Sequence, residues 1–228
     1  MYRWTEKSVR WYAEAVAFTG VDRALAERLT PYLPRGETVC DLGCGIGFLA
    51  MELARRGYET TAVDHDPEAM AWLRTRREQL GLENLRPLER SWDELSGEAW
   101  DNVIMVSAGG GGHDPEFYRR LCRKRLIVVD RAKLTSHVRP EGRPSARRDS
   151  LYDWESGASV RVDFTLEFGQ PFRSVEEARE YIEFMGGSEV EETLKALQKT
   201  DSPDFPLYLP YSKEMELRVF DITESCAL

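Results

Sequence analysis

Histidine, cysteine and long apolar runs are what this sequence has least of. Three histidines and four cysteines are spread over 228 residues. The cysteines, Cys40, Cys44, Cys122 and Cys226, form no CxxC pair, and no histidine stands at a zinc-like spacing from them. This favours free thiols in a reducing compartment over a metal site or disulfides. No apolar run approaches the roughly 20 residues that span a bilayer. The start, Met1-Tyr2-Arg3-Trp4-Thr5-Glu6-Lys7, lacks the apolar stretch of a signal peptide. The expectation is a cytoplasmic protein without a membrane partner. Positive charge is also short: 31 Lys and Arg against 40 Asp and Glu leave a formal net charge of −9. An acidic chain is pushed off phosphate backbones, which disfavours a nucleic-acid partner. Internal repeats and low-complexity tracts are missing too.

What is present is a core and an alternation. Hydrophobic residues make up 42% of the chain, enough for one α/β domain with an insertion. Residues 5–33 read as helical, with Trp4, Ser8, Trp11, Tyr12 and Ala15 on one face. Thr38 to Leu42 reads as a buried strand, followed by a glycine turn and a helix over 47–56. Glu59 to Val63 reads as the second strand. Asp66-Pro67 opens a helix that stops at Gly81. Weak and strong strands follow at 85–88, 101–106 and 125–129. Strands alternating with helices give βαβ units and a mainly parallel sheet, whose strand C-terminal ends share one edge where ligands bind. Asp41, Asp64, Ser107 and Asp130 fall at such ends. Beyond 130 the pattern changes. A helix is possible near 146–154, a half-exposed strand at 160–168, two acidic helices over 174–199 and a closing strand at 216–222.

The most specific feature is Asp41-Leu42-Gly43-Cys44-Gly45-Ile46-Gly47. A strand running into alternate glycines and then a helix brings backbone N–H groups close to a ligand. A dinucleotide turn would want a third glycine at position 48, which is Phe48. Asp41, just before the turn, would repel a pyrophosphate and attract an ammonium group. Asp64, ending the next strand, stands where a carboxylate can accept from ribose hydroxyls.

Together, Asp41 to Gly47, Thr61 to Pro67 and Trp100 to Met105 resemble the motifs of class I S-adenosylmethionine-dependent methyltransferases. The resemblance covers about residues 20–130. It implies a Rossmann-like, mainly parallel seven-stranded sheet with helices on both faces and an insertion after the fifth strand. It also implies S-adenosylmethionine as cofactor and S-adenosylhomocysteine as product. Asp41, Gly43, Cys44, Gly45 and Gly47 would then hold the methionine end. Asp64 would serve the ribose and little else, His65 would lie against the adenine, and Ser91 and Trp92 would hold its edge. Ser107 ends the strand whose following loop, Gly109 to Gly112, faces the methyl group in that family. Enzymes of the family that methylate amino groups of bases or glutamine carry Asn/Asp-Pro-Pro-aromatic there; this chain does not.

His113 is the candidate general base, because imidazole titrates nearest neutrality; it is equally a neighbour of the helix start Asp114-Pro115. Trp4, Trp11 and Tyr12 are a core stripe or a cap over the cofactor. Arg139 to Arg148 is an anion-reading lid or a solvated loop. The expected organisation is a cofactor-binding core over 1–130, an insertion over 131–172, and C-terminal helices with a closing strand over 173–228. The expected activity is methyl transfer to a small molecule by a monomer or homodimer. The alternatives are a non-catalytic cofactor-binding module and an RNA or protein methyltransferase.

Overall fold

The computed structural model describes residues 4–108, 115–132, 158–187 and 189–222. The chain opens with helices α1 (Glu6–Thr19) and α2 (Val21–Leu29). Thr5 caps α1: its hydroxyl accepts the Ser8 N–H, and its own N–H donates to the Ser8 hydroxyl at 2.9 Å. Gly20 breaks the single helical stretch expected over 5–33. It adopts φ +68°, and its N–H closes α1 on the Val16 carbonyl at 2.8 Å.

Then come β1 (Val39–Leu42), α3 (Phe48–Arg55), β2 (Thr60–Asp64), α4 (Pro67–Leu80), β3 (Leu85–Glu89), β4 (Trp100–Val106), α5 (Pro115–Leu121) and β5 (Cys122–Arg131). Asp66 caps α4 by accepting from the Glu68 and Ala69 N–H groups, and Gly81 ends it at φ +63°. Both were legible as a start and a stop. β5 begins three residues before the expected strand because α5 passes into it directly.

β6 (Val160–Glu167) and β10 (Ser212–Asp221) complete a seven-stranded sheet in the order β3-β2-β1-β4-β5-β10-β6. The first five strands are mutually parallel; β10 runs antiparallel to β5 and β6. This is the expected Rossmann-like sheet. β6 lies within the range 131–172 but belongs to the main sheet. The order reverses between β1 and β4, which puts a ligand crevice above their C-terminal ends.

Side-chain alternation divides the core. Val39, Ile104, Ile127, Val129, Met215 and Leu217 face α2 and α3, while Leu42, Val103, Met105, Leu126 and Val128 face Tyr118 and Leu121 of α5. β1 is buried along its whole length, as a central parallel strand must be.

Between β6 and β10 the chain makes an excursion. β7 (Gln170–Phe172), β8 (Gln198–Lys199) and β9 (Leu207–Leu209) form a small second sheet in the order β7-β9-β8. Helices Val175–Phe184 and Val190–Leu194 lie within it. Two acidic helices were expected through 199; the second ends at Leu194, and Gln198 and Lys199 pair with β9 instead. The excursion docks on α1: Gln170 donates to the Trp11 carbonyl at 3.1 Å, and the Trp11 and Tyr181 rings meet edge to face at 5.3 Å. The possible helix near 146–154 lies outside the described residues. No helix among the described residues is long and apolar enough to cross a membrane.

Candidate functional site

The glycine turn is fastened to β2 before any ligand arrives. The N–H groups of Gly43 and Cys44 both donate to the Val63 carbonyl, at 2.8 and 3.0 Å. The Gly45 N–H donates to Asp64 Oδ2 at 2.8 Å. Gly45 and Gly47 hold φ of +55° and +74°, values that penalise a Cβ. Space forbids one as well. A Cβ at Gly47 would lie 2.7 Å from the Leu73 methyls, one at Gly45 2.9 Å from the Trp4 ring, and one at Gly43 2.8 Å from the Ala108 Cβ. The sequence explained these glycines by a ligand; the structure adds three protein neighbours that approach just as closely.

Asp41, next to last in β1, lies on the face of the sheet that carries Val39 and Ile104. It is only 3% exposed. Burial, reinforced by the charge of Asp64, pushes its carboxyl up to about 7, with the Ala50 backbone amide pulling the other way. No ion pair within 4.0 Å joins Asp41 to a cation among the described residues. A buried carboxylate in this state gains a great deal from a cationic ligand group.

Asp64 corrects the expectation that it serves ribose and little else. Oδ2 holds the Gly45 N–H, and Oδ1 accepts the Asp66 N–H at 3.0 Å. It therefore splints the turn to the start of α4 and keeps only its remaining lone pairs for a ligand. Asp66 extends the splint: beyond capping α4, its Oδ2 accepts the Trp4 N–H at 3.1 Å. His65 projects beside it, half exposed, with Nδ1 3.5 Å from Asp64 Oδ1.

The remaining expected residues sort clearly. Ser107 is the one non-glycine residue at positive φ (+48°) among the described residues, held by its N–H on the Val129 carbonyl at 2.9 Å. Such strain at a strand end is characteristic of ligand sites. Trp92 stands 3.4 Å from the position of a Gly43 Cβ. Ser91 is occupied locally: it caps the short turn Trp92–Glu94, its N–H donating to Glu94 Oε2 at 2.9 Å. Burial, with Asp41 and Asp64 nearby, pushes the Cys44 thiol well above its usual range, so it lines the turn as a neutral group. The structure thus places Asp41, Gly43, Cys44, Gly45, Gly47, Asp64, His65 and Ser107 at the C-terminal ends of β1, β2 and β4, with Trp92 beside Gly43. His113, Gly109 to Gly112, His137 and Arg139 to Arg148 lie outside the described residues. No cluster of metal-ligating side chains occurs among the described ones.

Trp4 was legible only as part of a stripe with two possible uses. Its ring covers Gly45 and meets Tyr12 edge to face at 5.4 Å. Trp11 instead is core, at 1% exposure. Hollows of about 310 and 590 Å³ lie aside from the turn, the first between Ala13, Phe48 and Trp72, the second between Trp92, Leu95 and Phe117.

Comparison with known proteins agrees with this geometry. Residues 39–125 match the family described as a methyltransferase domain. The release factor glutamine methyltransferase of Salmonella typhimurium is 30% identical over 164 residues, 66% of this chain and 56% of that protein. A protein of Methanosarcina acetivorans, named as a probable cobalt-precorrin-6B C(15)-methyltransferase (decarboxylating), is 31% identical over 113 residues, 47% of this chain and 61% of its own. The chain spans little more than half the length of these curated relatives. Among solved structures, magnesium protoporphyrin IX methyltransferase from Synechocystis PCC 6803 with bound SAM has a TM-score of 0.51 at 19% identity, covering 90% of this chain and 80% of that one. At that identity the likeness speaks for the fold.

Proposed function

We propose that the protein is a class I S-adenosylmethionine-dependent methyltransferase, which binds S-adenosylmethionine at the glycine turn within its methyltransferase domain and transfers the methyl group to a small-molecule acceptor. The observation that carries this reading is Asp41, a buried carboxylate that lacks a cation within salt-bridge distance among the described residues. An amino-acid ammonium supplies the missing charge; a pyrophosphate would worsen the imbalance.

When bound, the cofactor supplies a methyl group already activated on a sulfonium, and S-adenosylhomocysteine is the product. The protein's own part is to hold and align. Asp41 takes the ammonium, and the turn of Gly43, Cys44, Gly45 and Gly47 cradles the methionine end. Asp64 accepts from a ribose hydroxyl with the lone pairs that Gly45 and Asp66 leave free. His65 lies against the adenine, and Ser91 and Trp92 hold its edge. Ser107, at the end of β4, borders the methyl-transfer side. Alignment of this kind supplies roughly 7–11 kcal/mol of the barrier. His113 takes a proton where the acceptor's attacking atom carries one at neutral pH.

A small acceptor is supported by the net charge of −9 and by the end of β4. That end reads Val106-Ser107-Ala108 rather than the motif of enzymes that methylate base or glutamine amino groups. Precorrin in the name of one similar protein agrees with it, while the name of the other, a release factor glutamine methyltransferase, favours a protein acceptor. The free thiols Cys40, Cys44 and Cys122 suit a cytoplasmic location.

Thermal denaturation tests the assignment. S-adenosylmethionine and S-adenosylhomocysteine are expected to raise the melting temperature while NAD does not. A ligand at a hundredfold excess over Kd stabilises the fold by about 2.7 kcal/mol. A shift with NAD and none with either sulfur compound would overturn the cofactor.

A further inference from the structure

The sheet edge continues past the cofactor crevice into a second group of side chains. β5 ends at Arg131, and β10, running the other way, begins at Ser212 on the same edge. Arg131 and Met215 are direct cross-strand partners, so Lys213, two residues before Met215, shares their face. This is also the face that bears Asp41, which lies two strands away on β1. β6 brings Phe168 to the same edge, where its N–H donates to the Tyr211 carbonyl at 2.7 Å.

The chemistry of this group is specific. The Lys213 ammonium is half-buried, 5.2 Å from the centre of the Phe168 ring and 5.7 Å from that of Tyr211. Arg131 donates through Nη2 to the Tyr211 hydroxyl at 2.8 Å. The Tyr12 ring stands 5.5 Å from Phe168 and closes the aromatic wall toward α1. Two cations therefore point into one aromatic-lined corner. Two nearby carboxylates have partners elsewhere. Asp130 Oδ1 accepts the backbone N–H of Arg131 at 2.8 Å, and Glu214 Oε1 accepts the Thr165 hydroxyl at 2.9 Å. Burial and the adjacent Arg131 charge hold the Lys213 ammonium below the usual lysine range. A half-buried cation with a second cation beside it is relieved by an anion.

We infer that Arg131 and Lys213, walled by Phe168, Tyr211 and Tyr12, form the acceptor subsite, and that the acceptor is a flat aromatic molecule bearing a carboxylate. This rests on the methyltransferase reading above and extends it to the substrate class. The layout sorts charge along one face: Asp41 repels the acceptor's carboxylate from the cofactor's ammonium position, and Arg131 with Lys213 draw it to the far end. Ring faces favour a planar acceptor body, because stacking adds to the area buried.

Fluorine NMR titration of the full chain with para-fluorobenzoate and para-fluorobenzamide, in saturating S-adenosylhomocysteine, tests this. Benzoate is expected to bind at least about tenfold tighter than the amide. Lys213→Met, which keeps the apolar stem, and Arg131→Gln should each weaken benzoate about tenfold and leave the amide and S-adenosylhomocysteine unaffected. Arg131 is exposed, so its variant carries the test should Lys213→Met fail to fold. Equal binding of the two probes, undiminished benzoate binding in a folded variant, or no benzoate binding at all would overturn the subsite. Acetate competing as well as benzoate would overturn its aromatic part. Failure of S-adenosylhomocysteine to bind would strike the methyltransferase reading instead, and benzoate titration without it would still report on Arg131 and Lys213.

Discussion

Along the ligand edge, the turn after β1 is tied to the end of β2 by backbone hydrogen bonds, and its glycines leave no room for a side chain against Trp4, Leu73 and Ala108. The ends of β5, β10 and β6 are also joined through the main chain, by Ala132 to Glu214 and by Phe168 to Tyr211, but they present long charged and aromatic side chains. The first region is a rigid cradle whose shape is set by the main chain. The second is a corner whose chemistry is set by side chains. A cofactor shared by many enzymes suits a main-chain cradle, because backbone geometry survives substitution. An acceptor peculiar to one enzyme suits side chains, because these change without disturbing the sheet.

The largest effect that would break this contrast is expected at Asp64. Asp64→Ala removes the acceptor for the Gly45 and Asp66 N–H groups. Two hydrogen bonds to a charged acceptor put the loss at roughly 3–5 kcal/mol, or about 10 °C in melting temperature for a chain of this size. Cofactor affinity should fall with it. A melting temperature unchanged in calorimetry would mean that the splint contributes nothing.

Asp41 comes next and has the opposite sign. Its carboxyl, ordinarily near 3.8, is raised to about 7 in the folded protein. A raised acid favours the fold while protonated. Its contribution is therefore fully present below about pH 4 and is lost as pH rises through 7, by roughly 4 kcal/mol in all. Asp41→Asn removes this dependence. Without ligand, the variant should gain on the parent between pH 5 and pH 8 while losing cofactor affinity. Parallel stability curves for the two proteins over that range would refute the buried charge.

Trp4→Ala should have a smaller effect. Its ring covers Gly45, and its backbone N–H, which the substitution keeps, holds Asp66. S-adenosylhomocysteine should dissociate several-fold faster, with Trp4→Phe close to the parent. Stopped-flow release that is unaltered in the alanine variant would remove Trp4 from the cap. The smallest effect belongs to the excursion's surface. Arg179 and Glu191 form a surface ion pair at 2.6 Å. Arg179→Ala should shift the melting temperature by no more than about 1–2 °C, because water screens such pairs. A larger fall would show that the excursion depends on its ion pairs.

The cradle was readable because its signals are local. Alternate glycines, the aspartate before them, Asp66-Pro67 and Gly81 act on residues within a turn of themselves. The sheet's parallel half followed from period and spacing alone. The small sheet of β7, β8 and β9 was not readable, since strands of two or three residues leave no alternation to detect. Lys213 was missed for a related reason. The apolar alternation of β10 is plain only from 216 onward, and the strand begins four residues earlier through pairing with β6.

By itself, the sequence determined the Rossmann-like sheet, the place of the glycine turn and the charge of Asp41 and Asp64 beside it, because backbone preference and hydrophobic period operate over a few residues. Only the tertiary structure decided what those groups meet. Trp4 reaches Gly45 and Asp66, Ala108 reaches Gly43, and Arg131 joins Lys213 across 82 residues of chain. These meetings depend on strand order and register, which are settled when distant segments bury their apolar faces together. No short stretch of residues encodes that outcome, since the area removed from water belongs to the assembled sheet.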